Sequence, residues 1–317
     1  LTVTGGRDDG RTGGAERLAG IAQGGKAALA RALAALETDP DGAAAVALLS
    51  AAHAAPRAHV VGITGPPGVG KSTLINGLIA DWRARGRTVG VIAVDPSSRR
   101  SGGALLGDRT RFTVDPEDRG VFVRSMAARD HLGGLAALTI AGMVLMRALF
   151  DVVLIETVGV GQSETEVVRV ADTVIFCVQP GSGDSLQFMK AGIAEIPHLV
   201  VVTKADMEKE ARRARSDVEG ALSLAEAEGD WAPRVLMVSA RSRQGVTDLV
   251  DAVDGHAAHL AEGDRLAKTR DAQSAEWLEA SLRERFGREG LRKAGPLTLA
   301  SGESPFDRLA ALARELS

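Results

Sequence analysis

Nine consecutive residues carry the most specific chemistry in this chain: Gly65, Pro66, Pro67, Gly68, Val69, Gly70, Lys71, Ser72 and Thr73. They match G-x-x-x-x-G-K-[ST] and lie between an apolar run, HVVGIT, and a helix-forming stretch, the context that this motif requires. Glycines at these places let backbone N–H groups turn inward around phosphate oxygens. The following helix presents its positive N-terminus to the same anion. Lys71 would reach the β- and γ-phosphates, and the Ser72 hydroxyl would complete a Mg²⁺ shell.

A second loop, Thr203-Lys204-Ala205-Asp206, follows another apolar run and reads as a purine reader. The Asp206 carboxylate can accept hydrogen bonds from guanine N1–H and N2–H₂, whereas adenine offers no donors in that arrangement. The stem of Lys204 would lie across the purine face. The usual pattern is N-K-x-D, so Thr203 is a departure. Further on, Ser239 and Ala240 resemble the loop of G proteins whose backbone N–H caps guanine O6.

Acidic candidates complete the set. Glu156 ends the run DVVLIE and precedes Thr157-Val158-Gly159, placing an acid near the Mg²⁺ shell and a glycine N–H where it can sense the γ-phosphate. Gln162 stands three places after that glycine, so it is not obviously placed to orient water, and slow unassisted hydrolysis is expected. Asp95, at the end of VGVIAVD, and Asp108 are further candidates to hold Mg²⁺ or polarise water, although an isolated acid at such a place also serves as a cap or turn residue. Lysine is scarce, 7 against 31 arginines, and three of the seven (Lys71, Lys190, Lys204) fall in loops assigned to this chemistry.

These loops need a frame. Seven short runs rich in β-branched residues begin at His59, Val89, Val121, Asp151, Thr173, His198 and Arg234 and alternate with helical stretches. Runs apolar on both faces predict an α/β fold with a mainly parallel sheet covered by helices on both sides. Residues 1–14 are rich in glycine and charge and are expected to be disordered. Residues 15–56 read as a helical extension, 57–254 as the α/β domain and 255–317 as a helical arm. In that arm Trp277, Leu278, Leu282 and Phe286 fall near one helix face, which suggests a dimer surface.

Composition narrows the function classes. With 38 basic and 41 acidic side chains, a net charge of −3 gives no electrostatic case for nucleic acid. A single cysteine, Cys177, excludes an internal disulfide. The pair His256 and His259 has the spacing of a metal-binding HxxH, but with no third ligand nearby in sequence it reads as structural. The most apolar helical stretch, from Leu135 to Met146, is too short to span a bilayer, and the opening residues have no apolar core of a signal peptide. A cytoplasmic location is expected.

Taken together, GPPGVGKST, AVDPSSRRSGGALLGDRTR, DVVLIETVGVGQSE, PGSGDSLQFMKAGI and TKAD resemble the MeaB/ArgK family of P-loop GTPases. The resemblance spans most of residues 60–240. It implies a P-loop NTPase fold and a Mg²⁺-dependent GTP switch. It also implies a homodimer through the C-terminal arm and, as partner, an adenosylcobalamin-dependent acyl-CoA mutase of the methylmalonyl-CoA mutase type, whose cofactor loading the switch gates. Three segments depart from the family pattern: Thr203, the stretch Gly183–Gly192 and the residues from Ser125. Two rival readings are a P-loop kinase of the arginine or ornithine transport type, against which Asp206 argues, and a metallochaperone GTPase, whose His-rich or Cys-containing metal motifs this chain lacks.

Overall fold

The computed structural model describes residues 8–95, 112–127, 137–157, 166–181, 197–224 and 230–317. Seven strands form one sheet: β1 (His59–Thr64), β2 (Val89–Asp95), β3 (Val121–Ala127), β4 (Val152–Glu156), β5 (Thr173–Val178), β6 (Leu199–Val202) and β7 (Arg234–Met237). Their order is β3-β2-β4-β1-β5-β6-β7, and every neighbouring pair runs parallel. All seven predicted runs are strands, and the sheet is the expected one. From β1 the chain crosses to one side of the sheet, and after β4 it returns to the other. The crevice outside the end of β1 is therefore the topological switch point where such sheets bind ligands.

Alternation along the strands explains the two covered faces. Ile175, Cys177, Leu199 and Val201 point to the side where α3 (Lys71–Ala84) and α6 (Val246–Ala261) contribute Leu74, Ile75, Leu78, Trp82, Leu249 and Val253. Phe176, Val178, Val200 and Val202 point to the other side, against Ala211, Ala214 and Val218 of α5 (Glu208–Leu222). Each of these strand side chains is buried, so this core is a major favourable contribution to folding.

The chain divides into two compact units rather than three successive segments. The sheet with α3, α5 and α6 (59–136 and 151–263) is one; the other gathers residues 1–58, 137–150 and 264–317. The second is helical: α1 (Asp8–Thr38), α2 (Ala43–Ala54), α4 (Ala137–Leu149), α7 (Arg265–Ala294) and α8 (Pro305–Leu316). The expected boundary at residue 255 falls inside α6.

Two expectations about the flanks are corrected. Residues 8–14 belong to α1 instead of the disordered stretch expected for 1–14. One of the glycines there has a packing reason: a Cβ on Gly14 would collide with the Ala47 carbonyl of α2, so only glycine permits this approach of the two helices. The apolar stripe of α7 is covered within the chain. Leu278 and Leu282 pack with Leu309 and Leu312 of α8, and the Trp277 ring lies 4.6 Å from Phe306. Helix α8 starts under a proper cap, with Ser304 accepting from the Asp307 amide and Pro305 in the first turn. The stripe that suggested a dimer surface is thus already occupied.

Among the described residues no helix is long and apolar enough to cross a membrane.

Candidate functional site

The loops after β1, β4, β5, β6 and β7 line one end of the sheet, from the switch point outward. Gly65 leaves β1 with φ +133°, and a Cβ there would run into the Cys177 carbonyl of neighbouring β5. Glycine is therefore required for the chain to turn away so close to the sheet. Lys71, the first residue of α3, is buried, and its ammonium donates to the carbonyl oxygens of Gly65 (2.6 Å) and Pro66 (3.0 Å). The lysine thus lies back along the loop that the sequence assigns to phosphate, on acceptors that a phosphate could replace.

At the end of β4, Glu156 is buried and accepts a hydrogen bond from the Ser72 hydroxyl at 2.9 Å. Hydroxyl and carboxylate form an all-oxygen pair of the kind that a hard divalent cation prefers, so these two residues fit Mg²⁺. Asp95 ends β2, two residues beyond Ala93, which registers with Glu156 across the β2–β4 ladder. Its backbone therefore belongs to the same corner of the sheet. Gly159, Gln162 and Asp108 lie outside the described residues, as does Lys190.

The purine-reading loop is tied to the phosphate loop. The Thr203 amide donates to the Val178 carbonyl at 2.8 Å, and its buried hydroxyl lies 2.8 Å from the Val69 carbonyl and 3.1 Å from that of Val178. Thr203 thereby bridges the end of β6 to the loop after β1. The departure from asparagine retains a donor that can hold the two nucleotide loops together. Next, Lys204 adopts a left-handed backbone (φ +53°), and its ammonium donates to the side-chain oxygen of Gln179 at 2.5 Å.

Asp206 accepts from the Ser239 hydroxyl at 2.7 Å. That hydrogen bond, then one from its own backbone N–H, then the nearby Arg241 and Lys204 charges hold its carboxyl below the usual carboxylate range. It is therefore ionised at neutral pH, the form that can accept from guanine N1–H and N2–H₂. The Ser239 amide is already given to the Gln244 carbonyl (3.0 Å), so a cap on guanine O6 falls to the Ala240 amide. The Ala205 amide donates to the Val238 carbonyl at 3.2 Å, which joins the loops after β6 and β7.

Direct contacts thus connect Lys71, Ser72 and Glu156 at one end with Thr203, Lys204, Asp206 and Ser239 at the other. Gln179 is the addition that sequence reasoning missed. No motif contains it; the only signal was its place directly after the strand TVIFCV, beside the other strand ends. Cys177, by contrast, is inert: burial pushes its thiol up to about 12.

Comparison with known proteins bears on the family and the fold. A family model described as methylmalonyl Co-A mutase-associated GTPase MeaB matches residues 29–293. GTPase ArgK of Escherichia coli strain K12 is 40% identical over 228 residues, which cover 71% of this chain and 69% of that protein. The mitochondrial methylmalonic aciduria type A homolog of Mus musculus is 39% identical over 222 residues, 69% of this chain and 54% of that protein. A solved structure described as LAO/AO transport system kinase aligns with a TM-score of 0.70 at 29% identity, covering 95% of this chain and 97% of its own.

Proposed function

The chain belongs to the MeaB family of methylmalonyl-CoA mutase-associated GTPases, and on that premise we propose that it is a chaperone of an adenosylcobalamin-dependent acyl-CoA mutase. In this reading GTP binding and hydrolysis gate cofactor loading and protect the mutase, with Mg²⁺ as the metal. The observation that carries the nucleotide part is the continuous line of contacts from Glu156 and Ser72 through the phosphate loop to Thr203, Asp206 and Ser239. One connected rim can engage a triphosphate at one end and a guanine at the other.

The residues divide the work. Lys71 exchanges the Gly65 and Pro66 carbonyls for β- and γ-phosphate oxygens, and the backbone N–H groups of Gly68 and of residues 70–73 cradle the chain of phosphates. Ser72 and Glu156, with Asp95 at the neighbouring strand end, would hold Mg²⁺, which when bound neutralises charge developing on the phosphates. Asp206 selects guanine, and Lys204 covers the purine. Positioning and electrostatics therefore carry the reaction, consistent with slow turnover until a partner completes the site.

Support for the mutase as partner comes from the family description and from the mouse relative's name. Homodimerisation rests on the family resemblance alone, since α8 covers the stripe that first suggested it. A cytoplasmic location is proposed on the same footing. The kinase reading suggested by the solved relative's description would require adenine beside an ionised Asp206, where it has no donors to offer.

The experiment is to purify the chain with candidate adenosylcobalamin-dependent mutases and measure GTP hydrolysis with and without each. One mutase should bind and raise the rate. If none binds or changes the rate, the chaperone reading fails while the GTPase assignment stands.

A further inference from the structure

We propose that Gln179 is a positioning residue for guanine-nucleotide binding and acts through Lys204, an inference that rests on reading residues 203–206 as the purine loop. The β5–β6 ladder registers Val178 with Val202, so Gln179 is the first residue beyond one strand and Lys204 the second beyond its neighbour. Register alone brings these two loops side by side at the nucleotide end of the sheet. The side-chain amide oxygen of Gln179 then receives the Lys204 ammonium at 2.5 Å.

The rest of the loop is held by ties of its own. The Thr203 amide is fixed to Val178, the Ala205 amide to Val238, the Met207 amide to the Lys204 carbonyl (2.9 Å) and the Asp206 carboxylate to Ser239. Between them the Lys204 backbone adopts φ +53°, a conformation that is unfavourable for an L-residue and persists only where its surroundings impose it. These ties settle the backbone but leave the long side chain to be placed. Lys204 is exposed, and a lysine side chain is rich in rotamer entropy. An acceptor at its far end restricts the stem to a narrow set of paths along the rim, so that less ordering remains to be done when a purine arrives. A neutral amide achieves this without cancelling the charge that attracts the nucleotide.

The consequence concerns binding and not the chemical step. Gln179→Ala should weaken GDP binding and raise the KM for GTP, each by about three- to tenfold, with kcat held. Gln179→Glu, which keeps an acceptor oxygen in place but sets a negative charge against the Lys204 ammonium, should lose less than Gln179→Ala does, about two- to threefold. In a Lys204→Ala background, Gln179→Ala should add nothing, because the group it positions is gone. Calorimetry with GDP and steady-state kinetics with GTP on the full chain supply these readouts, and thermal melts of each variant report any loss of folding. Equal losses in both backgrounds, or a lower kcat at unchanged GDP affinity, would overturn the proposal. If the parent binds ADP as well as GDP, the purine-loop reading fails and takes this inference with it; a GDP-selective parent with additive variants sinks the inference alone.

Discussion

The two ends of the central sheet both carry polar side chains taken from water, yet they are organised in opposite ways. At the N-terminal ends of β1, β5 and β6, polar groups close on one another. The Thr173 hydroxyl lies 2.7 Å from both His59 Nε2 and His256 Nδ1, and His198 Nδ1 accepts from the Val174 amide at 2.9 Å. The His198 and His256 rings stand 4.2 Å apart, with Trp231 edge-on to His256 at 4.5 Å. At the C-terminal ends, polar groups bond instead to partners that a ligand can displace: Lys71 to loop carbonyls and Ser72 to Glu156. A cluster of buried polar residues therefore does not by itself mark a site. What distinguishes the nucleotide end is that its groups come from strand ends, a helix start and the loops between them and hold contacts open to exchange.

The widest separation between the two ends should appear in base selectivity. Asp206→Asn is expected to lower GDP affinity by about 10⁴-fold and to shift preference toward xanthosine diphosphate, whose O2 accepts where guanine donates. Titration of both nucleotides against the variant checks this. Next in size, Lys71→Ala should reduce GTP turnover by about 10²–10³-fold while the melting temperature moves little, because its partners are loop carbonyls and not the core. Turnover at the parent rate would remove the phosphate loop from the reaction.

The histidine end should respond to acid. Burial is the largest cause lowering His198 to about 4 and His256 to about 3, whereas in the unfolded chain both take up protons from about 6.5 downward. Between about pH 6.5 and 4 the unfolded state then binds more protons than the folded one. Stability is complete above that window and falls through it by about 1 kcal/mol per pH unit for each histidine. Urea titrations at pH 7, 6, 5 and 4 give the slope, and His256→Phe should reduce it. The smallest effect belongs to the strap between nucleotide loops. Thr203→Val should weaken GDP binding by about tenfold, and Thr203→Asn, which keeps a donor, should restore most of it.

Much of this architecture was legible because strands buried on both faces leave a plain sequence trace. HVVGIT and TVIFCV coincide with β1 and β5 residue for residue. β3 continues past the run VFVR to Ala127 because β2 extends beside it as far as Asp95, and pairing of that kind has no local signature. The glycines before Ala15 suggest disorder, yet one of them, Gly14, answers to the α2 backbone. The face of α7 was visible, but its occupant was not, because a helix pattern shows that a stripe must be covered without showing by what. In the site, Lys71, Ser72, Glu156 and Asp206 followed from motif chemistry. The Thr203 bridge to Val69 and the Gln179 contact with Lys204 join residues far apart in sequence and needed the fold to bring them together.

The central claim is that the loops at the C-terminal end of the sheet form a guanine-nucleotide site. Calorimetric titration of the full chain with GDP and then with ADP, both with Mg²⁺, tests it most directly. The account predicts GDP binding tighter than ADP by about 10⁴-fold, because adenine leaves the Asp206 carboxylate unpaired. ADP binding within tenfold of GDP would contradict it.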